Sequence, residues 1–259
     1  MIKPYTIYTT TSPLDQFLIQ KYLSLDLSIL GNLELSLTNI GLYLTISALV
    51  IFLLNVLPNY AKILSNKWFI SLESLYATIH SIVRTQINSK KGQIYFPFIF
   101  SLFIFILVNN LLGMLPYSFS STSHFILTFA LSFTLVLGAT ILGFSIYRWK
   151  FFSLFVPKGC PLPLLPLLVL IELISYLARN ISLGLRLAAN ILSGHMLLNI
   201  LAGFTYKIMT SGLLFFFLGL VPLVFIFAFS GLELGISFIQ AQVFVVLSCS
   251  YIKDGLDLH

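Results

Sequence analysis

The sequence predicts an all-α protein that crosses a membrane several times, and three observations carry the prediction. Of its 259 residues 58% are hydrophobic and only 8% charged, with a mean hydropathy of +1.01, whereas about a quarter of the residues in a soluble domain are charged. Apolar runs recur at the length a helix needs to cross roughly 30 Å of hydrocarbon. Those runs do not alternate apolar with polar residues, as the strands of a membrane β-barrel would. The net charge of +6 comes from scattered or loop-borne basic residues, not from a cluster suited to nucleic acid. Cys160 and Cys249 are too few and too far apart for a disulfide framework or a metal site. No metal and no cofactor is expected.

The first residues, MIKPYTIYTTTSPLDQF, lack both a long apolar core and the Arg-rich amphipathic pattern of an import signal. Insertion therefore relies on the spans themselves. The first span runs from about Leu37 to Val56 and ends at Pro58. A polar interval follows, containing KWFISLESLYATIHSIVRTQI, Lys67 to Ile87. There Ile70, Leu72, Leu75, Ile79, Ile82 and Val83 recur near helical spacing among Glu73, His80 and Arg84. Such a pattern predicts an amphipathic helix lying on the membrane surface. The second span is about Ile94 to Leu115 and the third about Phe125 to Tyr147.

From Leu167 to Ala202 there are 36 residues without proline. A straight helix of that length reaches about 54 Å, well beyond the hydrocarbon core. A second long stretch, about Leu213 to Tyr251, is interrupted by Pro222. Either each stretch breaks into two short spans or the pair forms a steeply tilted hairpin. The first stretch holds no breaker stronger than Gly184 and Gly194, which favours a tilted hairpin at about 163–252. The expected organisation is an N-terminal segment, 1–36, followed by a single integral membrane domain, 37–259.

Lys62, Lys67, Arg84, Lys90 and Lys91 lie between the first two spans, and Arg148, Lys150 and Lys158 follow the third. The turn near Ser118 to Ser123 holds no basic residue. By the bias of loop Lys and Arg, both basic segments share the positive side and the N-terminus lies opposite. The hairpin then starts on the positive side, turns near Lys207, and returns Asp254 and His259 to the positive side.

The hairpin carries polar residues that lipid does not tolerate without reason. Glu172, Arg179 and Arg186 are spaced by seven and form one slowly drifting stripe. His195, nine residues past Arg186, falls on about the opposite face. Glu233, Gln240 and Tyr251 share a face of the last helix, with Ser237 beside them. Glu172, Tyr251 and Asp254 sit toward the positive side, whereas His195 and Glu233 sit toward the other. Arg186 and Gln240 fall between, so two polar clusters are offset in depth with an arginine separating them. A structural ion pair is the competing reading for Glu172 and Arg179, and an interhelical hydrogen bond for His195. Lys207 and Lys253 are interfacial anchors that snorkel. Small residues flank Arg186, namely Gly184, Ala188 and Ala189, and Gly231 with Gly235 repeat the pattern on the last helix. Small residues let another helix come close, so Arg186 is placed to meet something outside this chain.

The segments SPLDQF (Ser12 to Phe17), YFPFIF (Tyr95 to Phe100), FFSLFVPKGCPLPLLPLL (Phe151 to Leu168), SLGLRLAANILSGH (Ser182 to His195) and SYIKD (Ser250 to Asp254) resemble subunit a of the F-type ATP synthases, in its fungal mitochondrial form. The resemblance spans nearly the whole chain and is most specific around Arg186. It implies a stator subunit of the mitochondrial inner membrane, not catalytic by itself, that grips a rotating ring of c subunits. Further partners it implies are the peripheral-stalk subunit b, subunit 8, other small membrane subunits and lipid. By resemblance Arg186 is the essential charge facing the ring carboxylate, with Gln240 its neighbour. His195 and Glu233 then belong to the half-channel open to the intermembrane space. Glu172, Tyr251, Asp254 and, at its edge, Arg179 belong to the half-channel open to the matrix. The resemblance also implies that residues 1–11 form a removable leader, that the N-terminus faces the intermembrane space, and that the C-terminus faces the matrix. The alternative from another class is an ion-coupled secondary transporter with a midplane site. It would favour internal repeats and interrupted helices, and the sequence has neither.

Overall fold

The structure is a computed structural model that describes residues 14–27, 33–56, 67–87, 89–115, 118–156 and 162–256. Residues 1–11, expected as a leader, and Pro58, Lys62, Lys158, Cys160 and His259 lie outside the described residues. Six α-helices dominate: α1 Asn39–Val56, α2 Lys67–Gln86, α3 Ser89–Gly113, α4 Phe125–Tyr147, α5 Leu165–Thr210 and α6 Leu213–Leu256. The chain is an all-α polytopic membrane protein in outline. Among the described residues, α3, α4, α5 and α6 are each long and apolar enough to cross a membrane, and α1 is a shorter apolar helix. At 18 residues, α1 covers about 27 Å, close to the hydrocarbon thickness.

One element departs from the all-α expectation. Within the N-terminal segment, β1 (Lys21–Leu27) pairs antiparallel with β2 (Leu33–Thr38). Leu23 faces Leu37, Leu25 faces Leu35 and Leu27 faces Leu33 in the register. The reason is legible in LSLDL and LELSLT, which alternate leucine with a polar residue at the period of a strand. Leu37 therefore belongs to the strand, and the first helix begins at Asn39 rather than at Leu37.

Asn39 ties this segment to α1. Its backbone N–H donates to the Gln20 carbonyl at 3.2 Å, and its side-chain Nδ2 donates to the Leu18 carbonyl at 3.1 Å. Its Oδ1 accepts from the Gln20 N–H at 2.9 Å. Asn39→Ala removes the two side-chain bonds and should cost the clamp about 1 kcal/mol. Exchange of the Gln20 amide should then quicken about fivefold. An unchanged rate would show that the segment is held by something else.

The other boundaries follow the sequence reading closely. The helix α4 begins and ends where the apolar run does. The helix α3 starts earlier than Ile94 and runs through Pro97, near its first turns. In α2 the expected apolar stripe exists, but Ile79 and Val83, with Ile87 just past its end, are buried in the common core beside Ile99 and Phe103 of α3. Glu73, His80 and Arg84 stay exposed. The amphipathic face is thus partly spent on protein rather than on lipid.

The hairpin is longer than expected. The 46 residues of α5 and the 44 of α6 pack along each other, joined by Ser211 and Gly212. At 1.5 Å per residue each helix exceeds about 60 Å. Neither Gly184 nor Gly194 breaks α5, and α6 continues through Pro222. The turn falls at Ser211–Gly212 rather than near Lys207, which sits in the last turn of α5.

Contacts at the helix ends fix which termini lie together. The Tyr147 hydroxyl at the end of α4 donates to the Leu256 carbonyl at the end of α6, at 2.6 Å. Phe155 packs edge-on against Tyr176 of α5, with ring centroids 5.8 Å apart. At the other end Tyr43 of α1 meets Phe119, with centroids 6.0 Å apart. The basic Arg148 and Lys150 therefore share an end with the start of α5 and the finish of α6.

Candidate functional site

The two long helices bring the polar residues together in three tiers. At the basic end Arg179 is the hub: Nη2 lies 3.4 Å from Oε1 of Glu172, and Nη1 lies 3.6 Å from Oδ2 of Asp254. The first contact joins residues two turns apart on α5, and the second crosses to α6. Glu172 and Arg179 are each 44% exposed, so this tier opens to the surroundings. Tyr251 is buried close by, within electrostatic range of Arg179, Asp254 and Arg186. Glu172 thus reaches the last helix through the guanidinium.

In the middle tier Asn190 Nδ2 donates to Gln240 Oε1 at 3.0 Å. Gln240 is buried, and its own Nε2 has no partner among the described residues. Arg186, one turn before Asn190, is exposed and makes no ion pair or hydrogen bond with any described residue. A guanidinium exposed in the apolar middle of a long helix is costly unless a partner or water receives it.

The small residues around it divide. Gly184 and Ala188 are buried inside the chain. A Cβ on Gly184 would come within 2.9 Å of Ser132 Oγ and 3.1 Å of Phe129 on α4. Gly184 therefore admits α4, which corrects the expectation that it admits an outside helix. Ala189 is exposed, and Cβ atoms on Gly231 or Gly235 would meet nothing within 4 Å. Those three leave open surface.

At the far tier His195 Nε2 lies 3.8 Å from Glu233 Oε1. That is ion-pair range but too long for a hydrogen bond. Glu233 is 4% exposed, and neither of its carboxylate oxygens has a hydrogen-bond partner among the described residues. Phe17, from the short Asp15–Phe17 turn, sets its ring edge-on to His195 with centroids 6.4 Å apart.

Several residues in this region escaped the sequence reading. Asn109 and Asn110 of α3 are buried. Asn110 Nδ2 donates to the Ser237 carbonyl at 3.4 Å, and Ser121 donates to Asn109 Oδ1 at 3.0 Å. Ser120 and Thr122 are buried too, as is Ser237, which the sequence already placed beside Glu233 and Gln240; each hydroxyl lacks a partner among the described residues, as does Asn110 Oδ1. Buried polar groups of this kind are normally satisfied by water. The signal was available: the Asn pair is the only amide interruption of FIFSLFIFILVNNLLGML. Asn190 likewise follows Arg186 by one helical turn. His124, at the start of α4, is outside the span, and burial pushes its pKa below the usual histidine value.

Chemically, the arrangement offers carboxylates at two depths on opposite sides of an isolated cation. Comparison with known proteins identifies the family. Residues 41–253 match the family ATP synthase A chain. The chain is 73% identical over 250 residues to ATP synthase subunit a of Podospora anserina, covering 96% of this chain and 95% of that one. It is 74% identical over 249 residues to ATP synthase subunit a of Neurospora crassa, with 96% and 95% covered. Against the subunit a of Mycosarcoma maydis, identity is 47% over 249 residues, covering 96% and 98%.

Proposed function

Because this chain belongs to the ATP synthase A chain family, we propose that its hairpin is the stationary half of a rotary proton-driven device. The family supports a proton-translocating role in the membrane sector of ATP synthase, for a multi-pass protein of mitochondria. Within that role, Glu233 and His195 load protons from the intermembrane space onto the carboxylates of a c-subunit ring. The Asn110, Ser237 and Ser120–Thr122 groups extend that path with water. A protonated ring carboxyl is neutral and rotates through lipid at little cost. After almost a full turn it meets the other path, where Glu172, Arg179, Tyr251 and Asp254 release its proton to the matrix.

Arg186 stabilises the ring carboxylate between the two paths and repels protons that would pass directly between them. At 100 mV each crossing supplies roughly 2.3 kcal/mol, so a leak at this point dissipates useful work. The chain conducts and does not itself catalyse. Its N-terminus faces the intermembrane space and its C-terminus the matrix, residues 1–11 are a removable leader, and 37–259 form one membrane domain with a tilted hairpin. The c ring, peripheral-stalk subunit b, subunit 8 and lipid are its partners.

One observation supports this reading: Arg186 is exposed and has no ion-pair partner among the described residues, while the charged groups above and below it are engaged across the hairpin. The unbroken course of α5 and α6 weighs against a midplane-site transporter, which uses discontinuous helices. Ala189, exposed three residues past Arg186, allows a direct test. Ala189→Cys, paired with cysteines placed beside the ring carboxyl, should form a disulfide in the assembled complex under oxidation. An assembled complex that cross-links at no ring position would overturn the assignment.

A further inference from the structure

Glu233 packs against α5 at Gly194. A Cβ built on Gly194 would lie 2.5 Å from Glu233 Oε1, 2.7 Å from its Cδ and 3.1 Å from its Cγ. Carbon atoms do not approach a carboxylate so closely, so the Glu233 head group fills the volume that a side chain at 194 would take. The next residue, His195, brings its imidazole to 3.8 Å from the same oxygen. Crowding is not general along the hairpin: Cβ atoms on Gly203, Gly231 and Gly235 would meet nothing within 4 Å, whereas Gly184, Gly219 and Gly255 are crowded by neighbours other than a carboxylate. A glycine inside a helix costs about 1 kcal/mol relative to alanine, so one at a crowded position demands a local reason.

We propose that Gly194 is a positioning residue, whose missing side chain forms the notch in α5 that seats the Glu233 carboxylate within reach of His195. The proposal rests on the reading of Glu233 as a proton carrier. A methyl group at 194 meets the far end of a flexible side chain rather than backbone. The carboxylate therefore yields first, and the helices stay packed. Displacement carries it away from His195 and from the path beyond, so proton loading suffers while the bundle remains intact. A misplacement of about 1 Å in a reacting group can cost on the order of a hundredfold in rate.

The test uses the assembled complex reconstituted in phospholipid vesicles. Gly194→Ala should assemble with normal subunit content, and its head should hydrolyse ATP at the normal rate when uncoupled. Proton-driven ATP synthesis should fall on the order of ten- to a hundredfold. Glu233→Asp shortens the carboxylate by one methylene and withdraws it from the notch. In that background Gly194→Ala should cause little further loss, and the double variant should match Glu233→Asp alone. Should Gly194→Ala reduce assembly, the comparison is made on complex amount: the Glu233→Asp background should restore it. Equal loss in both backgrounds, or normal synthesis by Gly194→Ala, would overturn the notch. Normal synthesis by Glu233→Gln would instead remove the reading on which it rests, and that variant separates the two failures.

Discussion

Arg186→Ala should abolish proton-driven ATP synthesis while leaving the catalytic head able to hydrolyse ATP when uncoupled. The argument is electrostatic. In the structure Arg186 is exposed in the middle of α5 with no ion-pair partner among the described residues, and the polar tiers to either side are engaged across the hairpin. A permanent positive charge there opposes a proton passing between the tiers and favours the ionised form of any carboxyl brought opposite. Alanine removes both effects. A ring carboxyl that merely oscillates can then pick up a proton on one side and lose it on the other without turning the ring. Passive proton flux through reconstituted Arg186→Ala complexes should therefore persist when rotation is mechanically locked, whereas wild-type flux should stop. Lysine keeps the charge but not the planar, always-protonated fork, so Arg186→Lys should rescue synthesis poorly at best. Near-normal synthesis by the alanine variant would show that this charge is not the separator.

The parts of this fold that the sequence discloses are those with a single dominant period. The run Phe125 to Tyr147 becomes α4 without adjustment, because twenty-odd predominantly apolar residues without a charge have one stable answer in lipid. The overlong runs become α5 and α6 for the same reason, and a hairpin is favoured over four short spans because the first run holds no breaker stronger than Gly184 and Gly194. The β1–β2 pair was missed although LSLDL and LELSLT alternate plainly. Those runs are short, and a helical periodicity search passes over five or six alternating residues. Leucine at every second position was the sign.

The site divides along similar lines. Spacing placed Glu233, Gln240 and Tyr251 on one face, and all three are buried. Spacing also separated His195 from Arg186, and the first turns to Glu233 while the second turns outward. What spacing cannot supply is the neighbour on another helix. Gly184 reads as an opening toward an outside partner until α4 is seen to occupy it. Gly194 reads as a weak helix breaker until Glu233 is seen in its place. Asn109 and Asn110 gain their meaning only when α3 comes alongside Ser237 of α6. Such residues become legible through tertiary contact, because their chemistry belongs to a space that several helices share.

Glu233→Gln should block the loading path with no loss of fit. The amide has nearly the size and shape of the carboxylate, and Glu233 is 4% exposed against Gly194 and His195, so packing is retained. What the amide lacks is the ability to take up and give away a proton, a capacity generally worth on the order of 10²–10⁴ in rate. ATP synthesis should fall by about a hundredfold or more, and proton pumping driven by ATP hydrolysis should fall with it. Passive flux moves in the opposite direction from the arginine variant: Arg186→Ala opens a leak, and Glu233→Gln closes a path. That opposition makes the double variant decisive. If the leak released by Arg186→Ala enters through Glu233, then Arg186→Ala with Glu233→Gln should be proton-tight, although each substitution alone stops synthesis. A double variant as leaky as Arg186→Ala would place the path elsewhere, and the buried column of Asn110, Ser120 and Thr122 would then have to conduct without this carboxylate.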